Sequence, residues 1–373
     1  MRRNRSQKPE ARSQKKMCWF HSGFWLLASG LPLCSLLLAV AVTNTSGQAP
    51  AGSAPGQTLG LIGYMIVPDA LEKSAEFYSH LLGLQMPNGD PRARLKWYDV
   101  VPFLTEMYGV KERARNFTLR IPGADIGVEP MQWSASKGKL LQPHLQDPGA
   151  SQLILTVNDI DELLMWLTKG GAKVITSGGK PVMVTTAGGK AREVIVQDFH
   201  GYYVKLVEPI PLPPGGGANG APSPSYIIGA NVAITVEDTE KTARFYQDVL
   251  GLKVEFGDGF HADANEQTVL GMKGAQYRNS TVQFPGKSVL HLVEFKNSDR
   301  KAIHPGIVDS GAIVLRVQVR NMDAFYEKVK ATKATIMSVS GAPYLNGRTR
   351  WLMLRDSNNI YVQLVEQPQT PTP

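Results

Sequence analysis

The sequence predicts an α+β protein built from two tandem copies of one small module, each copy itself made of two similar halves. An internal repeat, a Pro/Gly-rich break between the copies and one strand-helix-strand order used throughout carry that prediction. Leu71-Glu72-Lys73-Ser74-Ala75-Glu76-Phe77-Tyr78 returns as Thr239-Glu240-Lys241-Thr242-Ala243-Arg244-Phe245-Tyr246, and self-similarity at this scale marks a repeated structural unit. Leu82-Gly83-Leu84 and Gly251-Leu252 keep the same spacing, and Arg115-Asn116 with Pro122-Gly123 is echoed by Arg278-Asn279 with Pro285-Gly286. Between the copies Pro209 to Pro224 is dominated by Pro, Gly and Ala and reads as a linker.

Each copy opens on a period-two apolar stretch, 62–67 and 231–236, followed by a helical pattern with acidic residues near its start. Leu71, Ala75, Tyr78 and Leu82 share one helix face, and Gly83 and Gly251 end the helices with residues free to take a left-handed conformation. Strands are predicted over 117–121 and 125–129, and over 281–284 and 289–295. A second strand-helix start follows in each copy, 152–157 before Asp159 and 312–319 before Asn321. Each copy ends in a hairpin whose turns, Asp198-Phe199-His200-Gly201 and Asp356-Ser357-Asn358-Asn359, place Gly or Asn where positive φ is needed.

The resulting division is 1–42 as a signal peptide or membrane anchor, 43–57 as a flexible segment and 58–209 as the first module. Residues 210–225 form the linker, 226–367 the second module and 368–373 a tail. Because the linker holds no packable segment, fragments 56–210 and 224–368 are expected each to fold, or to dock through surfaces other than the linker.

The length of 373 residues suits two domains, and 43% hydrophobic with 19% charged residues suits packed cores. The net charge of +8 is concentrated in residues 1–16, where seven Lys and Arg stand against Glu10 alone. Without a basic stripe elsewhere, nucleic acid is excluded as a partner. A basic head followed by the uncharged run Met17 to Val42 reads as an export signal, either cleaved or retained as an anchor. The protein is expected outside the cytoplasm, periplasmic or extracellular, touching membrane only through that segment. Both cysteines, Cys18 and Cys34, fall inside the segment, so no disulfide or thiol site serves the modules.

A strand-helix-three-strand unit used twice per copy, with Phe-Tyr and Leu-Gly-Leu in the first helix and Leu-Val-Glu closing the last strand, resembles the vicinal oxygen chelate superfamily. That superfamily includes glyoxalase I, extradiol dioxygenases and bleomycin-resistance proteins. The resemblance covers about 58–209 and 226–367 and implies two vicinal-oxygen-chelate modules, each of two βαβββ half-modules forming a cupped sheet. It also implies four inward positions for a divalent metal. They fall here on Gly63 or Asn231, Ile126 or His291, Gln152 or Val314, and Lys205 or Gln363. Neither set supplies the carboxylates and imidazoles such an ion requires, so no metal or other cofactor is expected.

The candidate ligand-binding residues in the second copy are Asn231, His291, Arg316, Gln318 and Gln363; in the first they are Gln152, Tyr203 and Lys205, among the apolar Met65, Val67, Ile126 and Val128. Amides, an imidazole and a guanidinium suit oxygen groups of a small organic molecule. Three functions compete: a metal-free binding module of the bleomycin-resistance kind, a lyase or dioxygenase with atypical ligands such as Asn231, His291 and Gln363, and a structural protein with degenerate sites. A homodimer is compatible with each. His144 with Asp147, and His304 with Asp309, fall in loops and read as polar surface.

Overall fold

Strands fall where period-two patterning ends in turn residues. In the computed structural model, which describes residues 55–368 apart from 88, 90, 92–94, 137–142, 187–188, 214–225 and 297, the first copy has nine. They are β1 (Gln57–Ile66), β2 (Ala114–Asn116), β3 (Leu119–Arg120), β4 (Gly127–Trp133), β5 (Ser151–Val157), β6 (Lys173–Val174), β7 (Val182–Thr186), β8 (Gly189–Gln197) and β9 (Tyr203–Ile210). The second copy has β10 (Ile227–Thr235), β11 (Lys253–Glu255), β12 (Gln276–Gln283), β13 (Val289–Lys296), β14 (Ile313–Arg320), β15 (Thr335–Ile336), β16 (Tyr344–Asn346), β17 (Thr349–Arg355) and β18 (Tyr361–Glu366). The export segment, nearly all of the flexible segment, the linker from 214 onward and the tail after 368 lie outside the described residues. Among the described residues no helix is long and apolar enough to cross a membrane.

The helices are α1 (Leu71–Ser74), continued by a π-helical stretch over Ala75–Leu81, α2 (Pro102–Tyr108) and α3 (Ile160–Lys169). Their second-copy counterparts are α4 (Thr239–Arg244), continued over Phe245–Val249, α5 (Ala264–Leu270) and α6 (Met322–Thr332). Asp159, Asp238 and Asn321 cap α3, α4 and α6 by accepting from the backbone N–H three residues on, which satisfies groups the helix itself leaves unpaired. The turn glycine and asparagine sit as expected, Gly201 at φ 89° and Asn359 at φ 64°.

Two local expectations change. The predicted strand 117–121 breaks between Asn116 and Leu119, and the next begins only at Gly127 and extends to Trp133. The chains approach so closely there that a Cβ on Gly127 would lie 2.9 Å from the Leu119 carbonyl oxygen. The helices α2 and α5 were not anticipated, because seven residues are too few to display helical periodicity. Both end on a left-handed glycine, Gly109 and Gly271.

Each sheet joins the first half of one copy to the second half of the other. One sheet runs β15-β17-β18-β14-β1-β4-β2 and the other β11-β12-β13-β10-β5-β9-β8-β6. The junctions are antiparallel pairs between copies, β1 with β14, where Gly63 faces Arg316, and β10 with β5, where Asn231 faces Ile154. Neither copy therefore builds a continuous sheet from its own strands. Of the two outcomes expected for fragments 56–210 and 224–368, folding alone or docking through surfaces other than the linker, these sheet edges supply a docking surface. β9 also carries Ile210, assigned above to the linker, into its ladder opposite Lys190.

A shared core lies on the helix side of both sheets, with Tyr64, Phe77, Leu153, Leu163, Tyr246 and Phe325 among its buried members. The opposite, concave faces each have their own smaller core. Met65, Val67, Met131, Trp133 and Val314 line the first cup and are covered by Leu104 of α2. Ala233, Phe295, Tyr203 and Ile195 line the second and are covered by Val269 and Leu270 of α5.

Candidate functional site

Because side chains alternate across a strand, the concave positions can be read from the register. Met65 pairs with Glu129 across β1 and β4, as Ala233 pairs with His291 across β10 and β13. Glu129 is thus the counterpart of His291. Ile126 and Val128, expected to face inward, belong to the helix-side core. On the remaining strands Arg316 pairs with Gln363 and Ile154 with Lys205, which makes Arg316 the counterpart of Ile154 and Gln363 that of Lys205.

The predicted residues divide between two cups. Arg316, Gln363 and Gln318 come to the first cup, with Gln318 half-buried beyond Arg316 on β14. Asn231, His291, Gln152, Tyr203 and Lys205 come to the second. The candidates of the second copy therefore do not form one groove, and Arg316 does not meet His291.

In the first cup Arg316 Nη1 donates to Glu129 Oε2 at 2.6 Å and its Nε to Gln363 Oε1 at 2.8 Å. The other Glu129 oxygen accepts from Asn116 Nδ2 at 2.7 Å, Tyr98 donates to Asn116 Oδ1 at 3.1 Å, and Gln363 Nε2 donates to Tyr108 Oη at 3.1 Å. Burial works to depress the Arg316 pKa, but Glu129 and Tyr108 more than offset it and the pKa is raised. Burial raises that of Tyr108. Phe103 and Tyr108 of α2 pack edge-on against Trp351 and Trp133, at ring separations of 5.0 and 5.3 Å. The indole nitrogens of Trp133 and Trp351 have no partner among the described residues.

In the second cup the same level carries an imidazole. His291 Nδ1 lies 3.1 Å from the Asn279 amide, and burial together with the nearby Lys205 cation lowers its pKa to about 4. Lys205 Nζ pairs with Glu193 Oε2 at 2.5 Å. Asn231 Oδ1 accepts from the Val289 N–H at 2.9 Å, and Tyr203 Oη donates to the Pro143 carbonyl at 2.9 Å. No arginine bridges His291 and Lys205, because Ile154 stands in its place. Lys205 keeps 24% of its side-chain surface, whereas Gln363 keeps none.

Residue-by-residue reading of the sequence missed Glu129, Glu193 and the Asn116/Asn279 pair. The repeated Arg-Asn dipeptide was the available signal: Asn116 binds Glu129 as Asn279 binds His291. The arginines preceding them bind, from equivalent places, Gln132 and Glu294, which also accept from the first helical N–H groups, those of Leu71 and Thr239.

The metal set implied by the superfamily does not fit. Glu129 is committed to Arg316 and Asn116, His291 bonds the Asn279 amide beside a Lys205 that Glu193 pairs, and no three His, Cys, Asp or Glu side chains converge among the described residues. The loop aspartates serve the backbone: Asp147 accepts from His144 N and Lys301 N, and Asp309 from Gly306 N.

Residues 230–364 match the family model of the Glyoxalase/Bleomycin resistance protein/Dioxygenase superfamily. Among solved structures, a mutant glyoxalase I from Zea mays is similar at 16% identity and a TM-score of 0.51, over 83% of this chain and 93% of that one. A putative dioxygenase from Bacillus subtilis is similar at 14% identity and a TM-score of 0.51, over 84% and 86%. Likenesses at such identities establish the fold. A search of curated proteins gave no match. The fold class is that of paired glyoxalase-type modules, and the family model's match lies within the second copy.

Proposed function

We propose that the second cup binds a small organic molecule without a metal, in the manner of a bleomycin-resistance-like binding module, and that the protein is exported by its N-terminal segment. The observation that carries the first part is the replacement of the bridging Arg316 by Ile154, which leaves His291 and Lys205 unbridged in the second cup. A neutral imidazole, the Asn231 amide and the Lys205 ammonium suit carbonyl, hydroxyl or carboxylate oxygens, while Phe295 and Val293 suit an apolar body. The basic head and apolar run support export. Fractionation that finds the intact chain only in cytosol would refute it.

The glyoxalase and dioxygenase likenesses favour an enzyme reading only at the level of fold. The donor set argues against it, since one imidazole, neutral amides and a Glu193 carboxylate already paired with Lys205 leave a divalent ion no free negative charge to offset its dehydration. The test is a thermal-shift screen of chelator-treated protein against small carboxylates, phenols and carbonyl compounds. A shift lost in His291→Ala and Lys205→Ala but kept in Gln363→Ala is expected. Binding that appears only after a divalent metal is added would defeat the reading.

A further inference from the structure

The loop that leads into each cover helix meets the polar level of its cup differently in the two copies. Tyr98 bridges to Ala114, and His261 to Tyr277, through the same reciprocal pair of backbone hydrogen bonds, so Tyr98 and His261 are counterparts. The residues before them agree: Arg115 stacks over Trp97 at 4.7 Å and Arg278 over Phe260 at 5.1 Å. The cover helices, aligned on the left-handed glycines that end them, set Leu104 against Glu266.

In the first cup Tyr98 lies over the polar level. Its hydroxyl donates to Asn116 Oδ1 at 3.1 Å, and burial, followed by the Glu129 charge, raises its pKa. Glu129, which Asn116 binds, is buried. In the second cup the imidazole is shorter than a phenol and is engaged elsewhere. His261 Nε2 lies 3.1 Å from Glu266 Oε2, and its ring packs on Tyr277 at a centroid separation of 4.5 Å. The first copy offers Tyr98 neither partner, because the apolar Leu104 and Ala114 stand at those places. Asn279, the counterpart of Asn116, is exposed, and the His291 it bonds is only half-buried.

We infer that residue 261 gates the second cup: held on Glu266 and Tyr277, His261 leaves Asn279 and His291 open to solvent and to a ligand, where a tyrosine would cover them. The gate is separate from the exchange of Arg316 for Ile154, which empties the level rather than uncovering it. Its use by a ligand rests on the proposed function, but access to His291 does not, so the test needs no ligand. Diethyl pyrocarbonate acylates accessible neutral imidazoles, and peptide mass spectrometry of the full chain reads the rate at His291. Wild type should be modified there, and Glu266→Leu alone at a similar rate. His261→Tyr combined with Glu266→Leu installs the first-copy pair and keeps the new phenol from staying on the carboxylate; its His291 should react several-fold more slowly. His261→Tyr alone, where the native side chain is 48% exposed and folding is not at stake, should slow the reaction less but in the same direction. An unreactive His291 in wild type, or a rate unchanged in both tyrosine variants, would overturn the inference.

Discussion

At the level of Glu129 in the first cup and His291 in the second, one backbone register carries two different chemistries. The first cup closes on itself: a guanidinium reaches a carboxylate and an amide, and aromatic residues of α2 pack above them. The second replaces the guanidinium by Ile154 and leaves a neutral imidazole and a partly exposed Lys205. The difference teaches that a duplicated sheet can keep its shape while one copy of its polar level becomes structural. A single substitution between counterparts, arginine for isoleucine, decides whether the level is filled from within.

The largest effect should come from separating the copies, because each cup needs strands from both. Fragments 55–213 and 226–368, expressed alone, should lack cooperative thermal unfolding, and mixing them should restore it. Independent cooperative folding of both would break the cross-copy pairing of β1 with β14 and β5 with β10. Within the first cup, Arg316→Met strands a buried carboxylate and should cost about 3–5 kcal/mol in denaturant unfolding, most of it recovered by adding Glu129→Leu. A loss below about 1 kcal/mol would mean that the pair does not seal the cup.

The cover helices sharpen the comparison. Gly109 and Gly271 both have left-handed φ, but a Cβ on Gly109 would meet only a Val339 methyl at 3.7 Å, whereas on Gly271 it would lie 2.5 Å from the Ile175 carbonyl oxygen. Gly109→Ala should therefore cost about 1 kcal/mol and Gly271→Ala distinctly more, read from denaturation midpoints. Equal losses would show that α5 is not held against the second cup as described.

The repeat, the linker composition and the strand-helix order were legible because apolar periodicity and turn residues are local signals. The exchange of halves was not. The inner edges of β1, β5, β10 and β14 have the same alternating apolar pattern, so composition does not distinguish partners within a copy from partners across copies. Glu129 was missed for a related reason, because setting Ile126 against His291 aligns it with Glu294. Matching glutamate to glutamate sets it against Glu294, but Gln132 is the true counterpart, since an amide oxygen and a carboxylate oxygen accept equally well from the helix N–H and the neighbouring arginine.

At neutral pH the smallest effect is expected from His291→Gln, since the imidazole is uncharged there in the folded protein. Its pKa, lowered from 6.5 to about 4, means that the unfolded chain binds the proton first as pH falls. His291 should therefore reduce stability progressively from about pH 6.5 down to about 4, and wild type should lose more melting temperature over that interval than His291→Gln. Parallel pH profiles would refute the neutral imidazole on which the second cup depends.

The most direct test of the account is the metal content of the full chain purified without chelator, measured by elemental analysis beside His291→Ala. The committed Glu129 and the carboxylate-poor surroundings of His291 predict zinc, iron and manganese well below one equivalent per chain, unchanged by the substitution. About one equivalent of any of them, lost in His291→Ala, would contradict the metal-free cup and favour the enzyme reading.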